Sequence, residues 1–113
     1  MDNMLALRTC TGTKFICFHE ILYCKADGRY THVFLNNGDS IITARLLKSF
    51  ENKLPADLFL RIHKSYVINM NYISSFNKKR NFLLILGSDT ILGISKRRRK
   101  RVFEALGSNF IYV

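Results

Sequence analysis

Apolar and polar residues alternate through the first half of the chain in short runs separated by turn residues. Leu5–Arg8 and Lys14–Phe18 flank Thr11-Gly12-Thr13, and Ile21–Lys25 and Tyr30–Leu35 flank residues 26–29. Leu35 and Ser40–Thr43 flank Asn37-Gly38. Runs of this length and alternation predict strands joined by short loops. Asp27-Gly28 and Asn37-Gly38 are hairpin signals, since a type I′ turn wants positive φ at both central residues. An antiparallel meander is the expectation. In residues 44–55, Leu46, Leu47, Phe50 and Leu54 fall at i, i+1, i+4 and i+8, one helical stripe that Pro55 ends.

The second half returns to β. Residues 59–76 are rich in β-branched and aromatic side chains, and Phe82–Leu86 and Thr90–Ile94 flank a turn at 87–89. Residues 77–81, Asn-Lys-Lys-Arg-Asn, read as an exposed basic loop. A second short helix is predicted from Ser95 as N-cap to Leu106, with Gly107 at C′. At 100° per residue Val102, Phe103 and Leu106 share a face, while Arg97, Lys100 and Arg101 point away. Arg99 falls toward the apolar side, its charge carried outward on its stem. The 113 residues suffice for one domain, spanning 1–113, and not for two. The predicted class is mostly β with two short helices.

Charge changes the picture. Lys96–Arg101 are six consecutive bases at the start of a helix, where the macrodipole favours acids. No acid lies between Ser95 and Val102, and no Glu follows Ser95 by three to form a capping box. The whole chain carries a formal +10. Such an excess attracts DNA, RNA or an anionic membrane surface. A solvated basic face, a nuclear-import signal and a merely basic protein are the blander readings, but a solvated face normally mixes signs. A phosphate backbone would supply the missing negative charge and accept from the helix-start N–H groups.

Other chemistry is thinly supplied. His63-Lys64-Ser65 invites comparison with a nucleophilic serine and its base, but adjacent strand residues face opposite ways and no acid lies nearby to orient the imidazole. Eight acids in the chain support little general acid–base catalysis. No catalytic residue, cofactor motif or metal-ligand spacing is evident, and His19, His32 and His63 are isolated. Cys10, Cys17 and Cys24 are spaced by seven, match no metal pattern, and read as reduced thiols of a cytoplasmic protein. No stretch is long enough to span a membrane, and residues 1–10 do not read as a secretion signal.

The order of features resembles the LytTR (LytR/AlgR-type) DNA-binding domain of bacterial response regulators, over about residues 5–107. "FLRIHKSYVINMNYI" is similar to the family signature F-x-R-x-H-[RKN]-S-[YF]-[IV]-V-N-x-x-x-I, filled by Phe59, Arg61, His63, Lys64, Ser65, Tyr66, Val67, Asn69 and Ile73, with Ile68 where Val is usual. "ILYCKADGRYTHVFL" resembles I-x-Y-[IVF]-E-A-x-x-x-Y, with Lys25 in place of the common acid. "LLKSFENKLP" resembles L-x-x-[LF]-E-x-x-L-P, and "ILGISKRR" the closing strand and turn.

The resemblance implies an elongated arrangement of small antiparallel sheets whose loops enter successive grooves of double-stranded DNA. Carried across by position, the base-reading candidates are Tyr30, Lys64 and Arg97, flanked by Lys96 and Arg98. Arg98 stands where relatives often have Tyr. By the same resemblance His63 supports its loop; Ser65 and Asn69, read from their own chemistry, satisfy local backbone groups and so count as further loop support. Arg97 has the fork to pair with guanine O6 and N7, whereas Lys78, Lys79, Arg80, Lys100 and Arg101 suit phosphates. The family also implies transcription regulation, homodimers on paired direct repeats, bent DNA, and a receiver domain upstream answering a sensor kinase. The rival readings are a sequence-tolerant RNA- or single-strand-binding β module, for which no RRM or KH motif is visible, and a membrane- or protein-docking module using the basic helix.

Overall fold

The computed structural model describes residues 3–113. Ten strands are present among them: β1 Met4–Thr9, β2 Gly12–Cys17, β3 Ile21–Asp27, β4 Tyr30–Leu35, β5 Ser40–Thr43, β6 Phe59–His63, β7 Tyr66–Asn69, β8 Ile73–Asn77, β9 Phe82–Ile85 and β10 Thr90–Gly93. Helix α1 is Leu47–Lys53 and α2 is Arg99–Asn109, with 3₁₀ turns at Phe18–Glu20, Met70–Tyr72 and Lys96–Arg98. The strands form three antiparallel sheets: β1-β2, β10-β9-β8, and a central β5-β4-β3-β7-β6. The molecule measures 44 × 29 × 25 Å. This is the mostly β, elongated arrangement with two helices that the sequence led us to expect.

The central sheet is buried on both faces, which explains why β3 opens on four buried residues, Ile21–Cys24, without alternation. On one face Ile41, Val33, Cys24, Val67 and Arg61 stand in register across all five strands. The apolar members of that row pack with Leu7 and Ile16 of the β1-β2 hairpin and Leu47 and Phe50 of α1. On the other face Leu22, Tyr23, Ile62 and Ile68 meet Leu83 and Ile85 of β9, Leu92 of β10, and Val102 and Leu106 of α2. Burial pushes the Cys24 thiol up to about 12, so it stays protonated core filling. All three cysteines are free thiols.

Several local details depart from the sequence reading. The two residues between β3 and β4 are Gly28-Arg29, with Asp27 and Tyr30 paired across the turn. Only Gly28 has positive φ (59°) and Arg29 does not, a φ pattern that fits type II′ better than I′. Leu46 does not join the α1 stripe; it precedes the helix and is 60% exposed. Ser95 does not cap a helix with its side chain. A 3₁₀ turn intervenes, Arg98 is the N-cap of α2, and the Ser95 hydroxyl is buried without a partner. Finally, α2 runs through Gly107 to Asn109. Side chains satisfy its last carbonyls in place of a left-handed glycine: Ser108 Oγ donates to Glu104 O (3.0 Å), Asn109 Nδ2 to Ala105 O (2.7 Å) and Tyr112 Oη to Leu106 O (2.8 Å).

Candidate nucleic-acid interface

Antiparallel pairing brings five strand ends to one end of the central sheet: the last residues of β3, β5 and β6 and the first of β4 and β7. Tyr30 opens β4 there and is 52% exposed. The Ala26 N–H donates to Ser65 O (2.9 Å), so the Lys64-Ser65 turn between β6 and β7 lies beside the β3-β4 hairpin. The Ser95 N–H donates to Ile62 O (2.9 Å), which fastens the Lys96–Arg98 turn to the end of β6. Tyr30, Lys64 and Arg97 are thus carried by neighbouring loops at a single end of the sheet, and Lys64, Lys96 and Arg97 are exposed.

The Lys64 turn is held by its surroundings. A bulge at Ile62 shifts the β6-β7 register, pairing Arg61 with Val67 and His63 with Tyr66. Arg61 then lies under the turn. Its Nε donates to His63 O (2.9 Å), one terminal nitrogen donates to Lys64 O (2.6 Å), and the other meets Glu51 Oε1 of α1 (2.9 Å). One guanidinium therefore fixes two successive turn carbonyls and anchors the turn to α1. His63 Nδ1 accepts from the Ser65 N–H (3.1 Å), which requires a lone pair on that nitrogen. Burial lowers the His63 pKa, and the nearby charges of Lys64, Arg98 and Arg61 lower it further. The imidazole thus engages the Ser65 backbone amide within the turn.

The cations at this end are poorly neutralised. Burial lowers the Arg98 pKa, and Arg61, Arg97 and Arg101 lower it further against the opposing pull of Glu51. The carboxylates that reach this end, Asp27 and Glu51, are already engaged with His32 (3.1 Å) and Arg61 (2.9 Å).

The structure brings together Tyr30, His63, Lys64, Ser65, Lys96, Arg97 and Arg98. Lys100 and Arg101 are exposed on the first turn of α2 directly after them. Lys78, Lys79 and Arg80 lie in the β8-β9 turn of the three-stranded sheet. That turn approaches the same region, because Ile94 N donates to Asn81 O (2.9 Å) one residue before Ser95. Lys78 Nζ sits 5.3 Å from the Phe103 ring centre, a cation–π contact that ties it to α2. Asn69 is elsewhere. It is buried at the opposite end of β7, where Nδ2 donates to Ile21 O (2.9 Å) and Oδ1 accepts from Asn71 N (3.0 Å). It joins core segments and does not support the Lys64 loop.

Sequence reasoning gave no role to Arg61 or Glu51, or to Arg29 and Arg45 at the same end. Arg61 was signalled by its place two residues before His63 in the same motif, although the bulge at Ile62 turns the two side chains to opposite faces, Arg61 with Val67 and His63 with Tyr66. Glu51 is distant in sequence, and no local pattern links it to Arg61. Arg29 sits at the hairpin tip beside Tyr30, and the Arg45 carbonyl accepts from Thr31 Oγ1 (2.6 Å). Among the described residues no group of three His, Cys, Asp or Glu side chains is placed to hold a metal ion, and no helix is long and apolar enough to cross a membrane.

A cationic loop cluster at one end of a mostly β domain suits a nucleic-acid-binding module. The sequence model of the LytTr DNA-binding domain matches residues 11–107, and the chain belongs to that family. It is similar to the CO-responsive transcriptional regulator RcoM of Rhodospirillum rubrum, 32% identical over 69 residues, covering 61% of this chain and 29% of that protein. It is also similar to the sensory transduction protein LytT of Oceanobacillus iheyensis, 28% identical over 92 residues, covering 78% of this chain and 37% of that one. The chain thus spans about a third of the length of these relatives. Its fold matches the LytTr DNA-binding domain of a Bacillus cereus protein described as a methyl-accepting/DNA response regulator. The TM-score is 0.77 at 23% identity, over 93% of this chain and 97% of that one.

Proposed function

We propose that this domain binds double-stranded DNA sequence-specifically as the output of a bacterial transcription regulator, without enzymatic activity, in the cytoplasm. The observation that carries the reading is the convergence of three loops, bearing Tyr30, Lys64 and Arg97, at one end of a sheet whose nearby carboxylates are already engaged. Arg97 reads a base edge, Lys64 and Tyr30 enter the neighbouring groove, and Lys96 and Arg98 flank them. Lys100, Arg101 and the Lys78–Arg80 turn hold phosphates, which position the domain without specifying sequence. The loops fit successive grooves better than a recognition helix would, because α2 buries Val102 and Leu106 against the sheet.

The fuller proposal has two copies side by side on a direct repeat, bending the duplex, with a receiver domain responsive to a sensor kinase elsewhere in the protein. Selection from a random duplex library at near-physiological salt tests it. An enriched motif repeated at one helical-turn spacing is expected. Recovery of no motif, or single strands or RNA outcompeting the selected duplex, would overturn the specific-duplex reading.

A further inference from the structure

Away from the tips of those loops, a cleft of about 230 Å³ opens between β1 and α1. Its floor is Leu5, Leu7 and Phe50, and Arg8, Arg45 and Lys53 line it. The three cations come from separate segments: a strand, the connection that follows β5, and a helix. All three are exposed, and none is in an ion pair among the described residues. No acid lines the cleft. The backbone beneath the two arginines is fixed by buried threonines. Thr43 Oγ1 donates to Arg8 O (2.6 Å) and Thr31 Oγ1 to Arg45 O (2.6 Å).

We propose that this cleft binds an amphiphilic carboxylate: a small molecule with one anionic head and a short apolar chain or ring. An apolar floor favours removing hydrocarbon from water, and a cationic rim favours a head group that stays charged. A bare phosphate or a nucleic-acid backbone would use the rim and leave the floor without a partner. The volume limits the guest, since pockets for drug-sized ligands measure about 300–1,000 Å³. A chain of medium length fits this space better than a long acyl tail. The cleft adjoins the DNA-facing end, because Thr31 and Thr43, which hold the Arg45 and Arg8 carbonyls, are cross-strand neighbours next to Tyr30. The proposal concerns ligand binding alone, so it stands or falls apart from the DNA reading.

Octanoate is a suitable probe, followed by amide chemical shifts of the full chain, with octan-1-ol and sulfate at matched ionic strength as comparators. Saturable shifts confined to residues 5–8, 45 and 49–53 are expected with octanoate. The double variant Arg8→Gln/Arg45→Gln should bind octanoate about tenfold more weakly, the loss of one charge-assisted hydrogen bond. Both side chains are exposed, so the variant keeps the core, and an unchanged unfolding midpoint checks this. Equal shifts from sulfate would make the cleft a plain anion patch and overturn the proposal. Shifts from octanol undiminished in the double variant would make it a plain apolar crevice. Cleft shifts caused by a short duplex, with none from octanoate, would assign the cations to DNA and overturn it as well.

Discussion

Arg61 organises the Lys64 turn through three directional bonds, and a lysine in its place could keep the charge without the fork. Charge-assisted hydrogen bonds contribute about 1.5–3 kcal/mol each, and a planar guanidinium is needed to reach the His63 carbonyl, the Lys64 carbonyl and Glu51 together. Arg61→Lys should therefore cost about 1–3 kcal/mol of stability and speed hydrogen exchange at the Ser65 amide. It should weaken binding to a preferred duplex more than to random DNA. Unaltered exchange at Ser65 would mean that the turn holds itself. His63 offers a second test at this scale. An unfolded histidine takes up its proton near 6.5, whereas the folded site resists it because of burial and its three cationic neighbours. Below that pH the unfolded chain binds more protons, so stability should fall as pH drops from about 6.5 through the lowered native pKa, and level off beyond it. Above 6.5 the contribution is complete. Urea unfolding from pH 8 to 5 should show a steeper loss for the wild type than for His63→Gln. Parallel curves would remove His63 as the source.

At the scale of elements, the first-half strands and the number of helices were legible because each is written locally, whereas the β3-β7 pairing that joins the two halves in one sheet was not. Periods of two and 3.6, Gly-rich turns and Pro55 need no tertiary knowledge. The errors fall where tertiary contacts decide. Gly107 looks like a helix stop until Ser108, Asn109 and Tyr112 are seen to satisfy the last carbonyls of α2. Asn69 looks like loop support by its nearness in sequence to Ser65. A strand separates them, and the amide serves the opposite end. Arg61 and Glu51 are ten positions apart on different elements, so their pairing is written in the packing of α1 on the sheet. Ser95 is the sharpest case. A serine before a basic, apolar-patterned helix reads as an N-cap, whose loss costs about 0.5–2 kcal/mol. In the structure its hydroxyl is buried and accepts or donates no hydrogen bond. Ser95→Ala should then leave thermal stability unchanged or slightly raised, since removing an unsatisfied buried hydroxyl offsets the lost volume. A clear drop in the unfolding midpoint would restore the capping role.

The whole molecule carries +10, and its cations are grouped well enough to separate what reads sequence from what holds the backbone. Each phosphate neutralised releases counterions, so log affinity falls with log salt by about 0.9 per contact on B-DNA. Lys100→Ala removes an exposed charge from the first turn of α2, next to the Lys96–Arg98 turn. It should weaken all duplexes alike and flatten the salt slope by about one unit. Arg97→Ala should instead lose about 1–3 kcal/mol of discrimination at one base pair while random duplexes bind nearly as before. Lys79 decides how far the interface extends. Its turn belongs to the three-stranded sheet and reaches the basic run through the bond between Ile94 N and Asn81 O. Contact between that turn and phosphates would make the DNA span two sheets, and Lys79→Ala would flatten the slope as Lys100→Ala does. A salt slope indifferent to Lys79 but sensitive to Lys100 would confine the DNA to the end of the central sheet and the start of α2, leaving the β8-β9 turn as a solvated charge braced on Phe103 through Lys78.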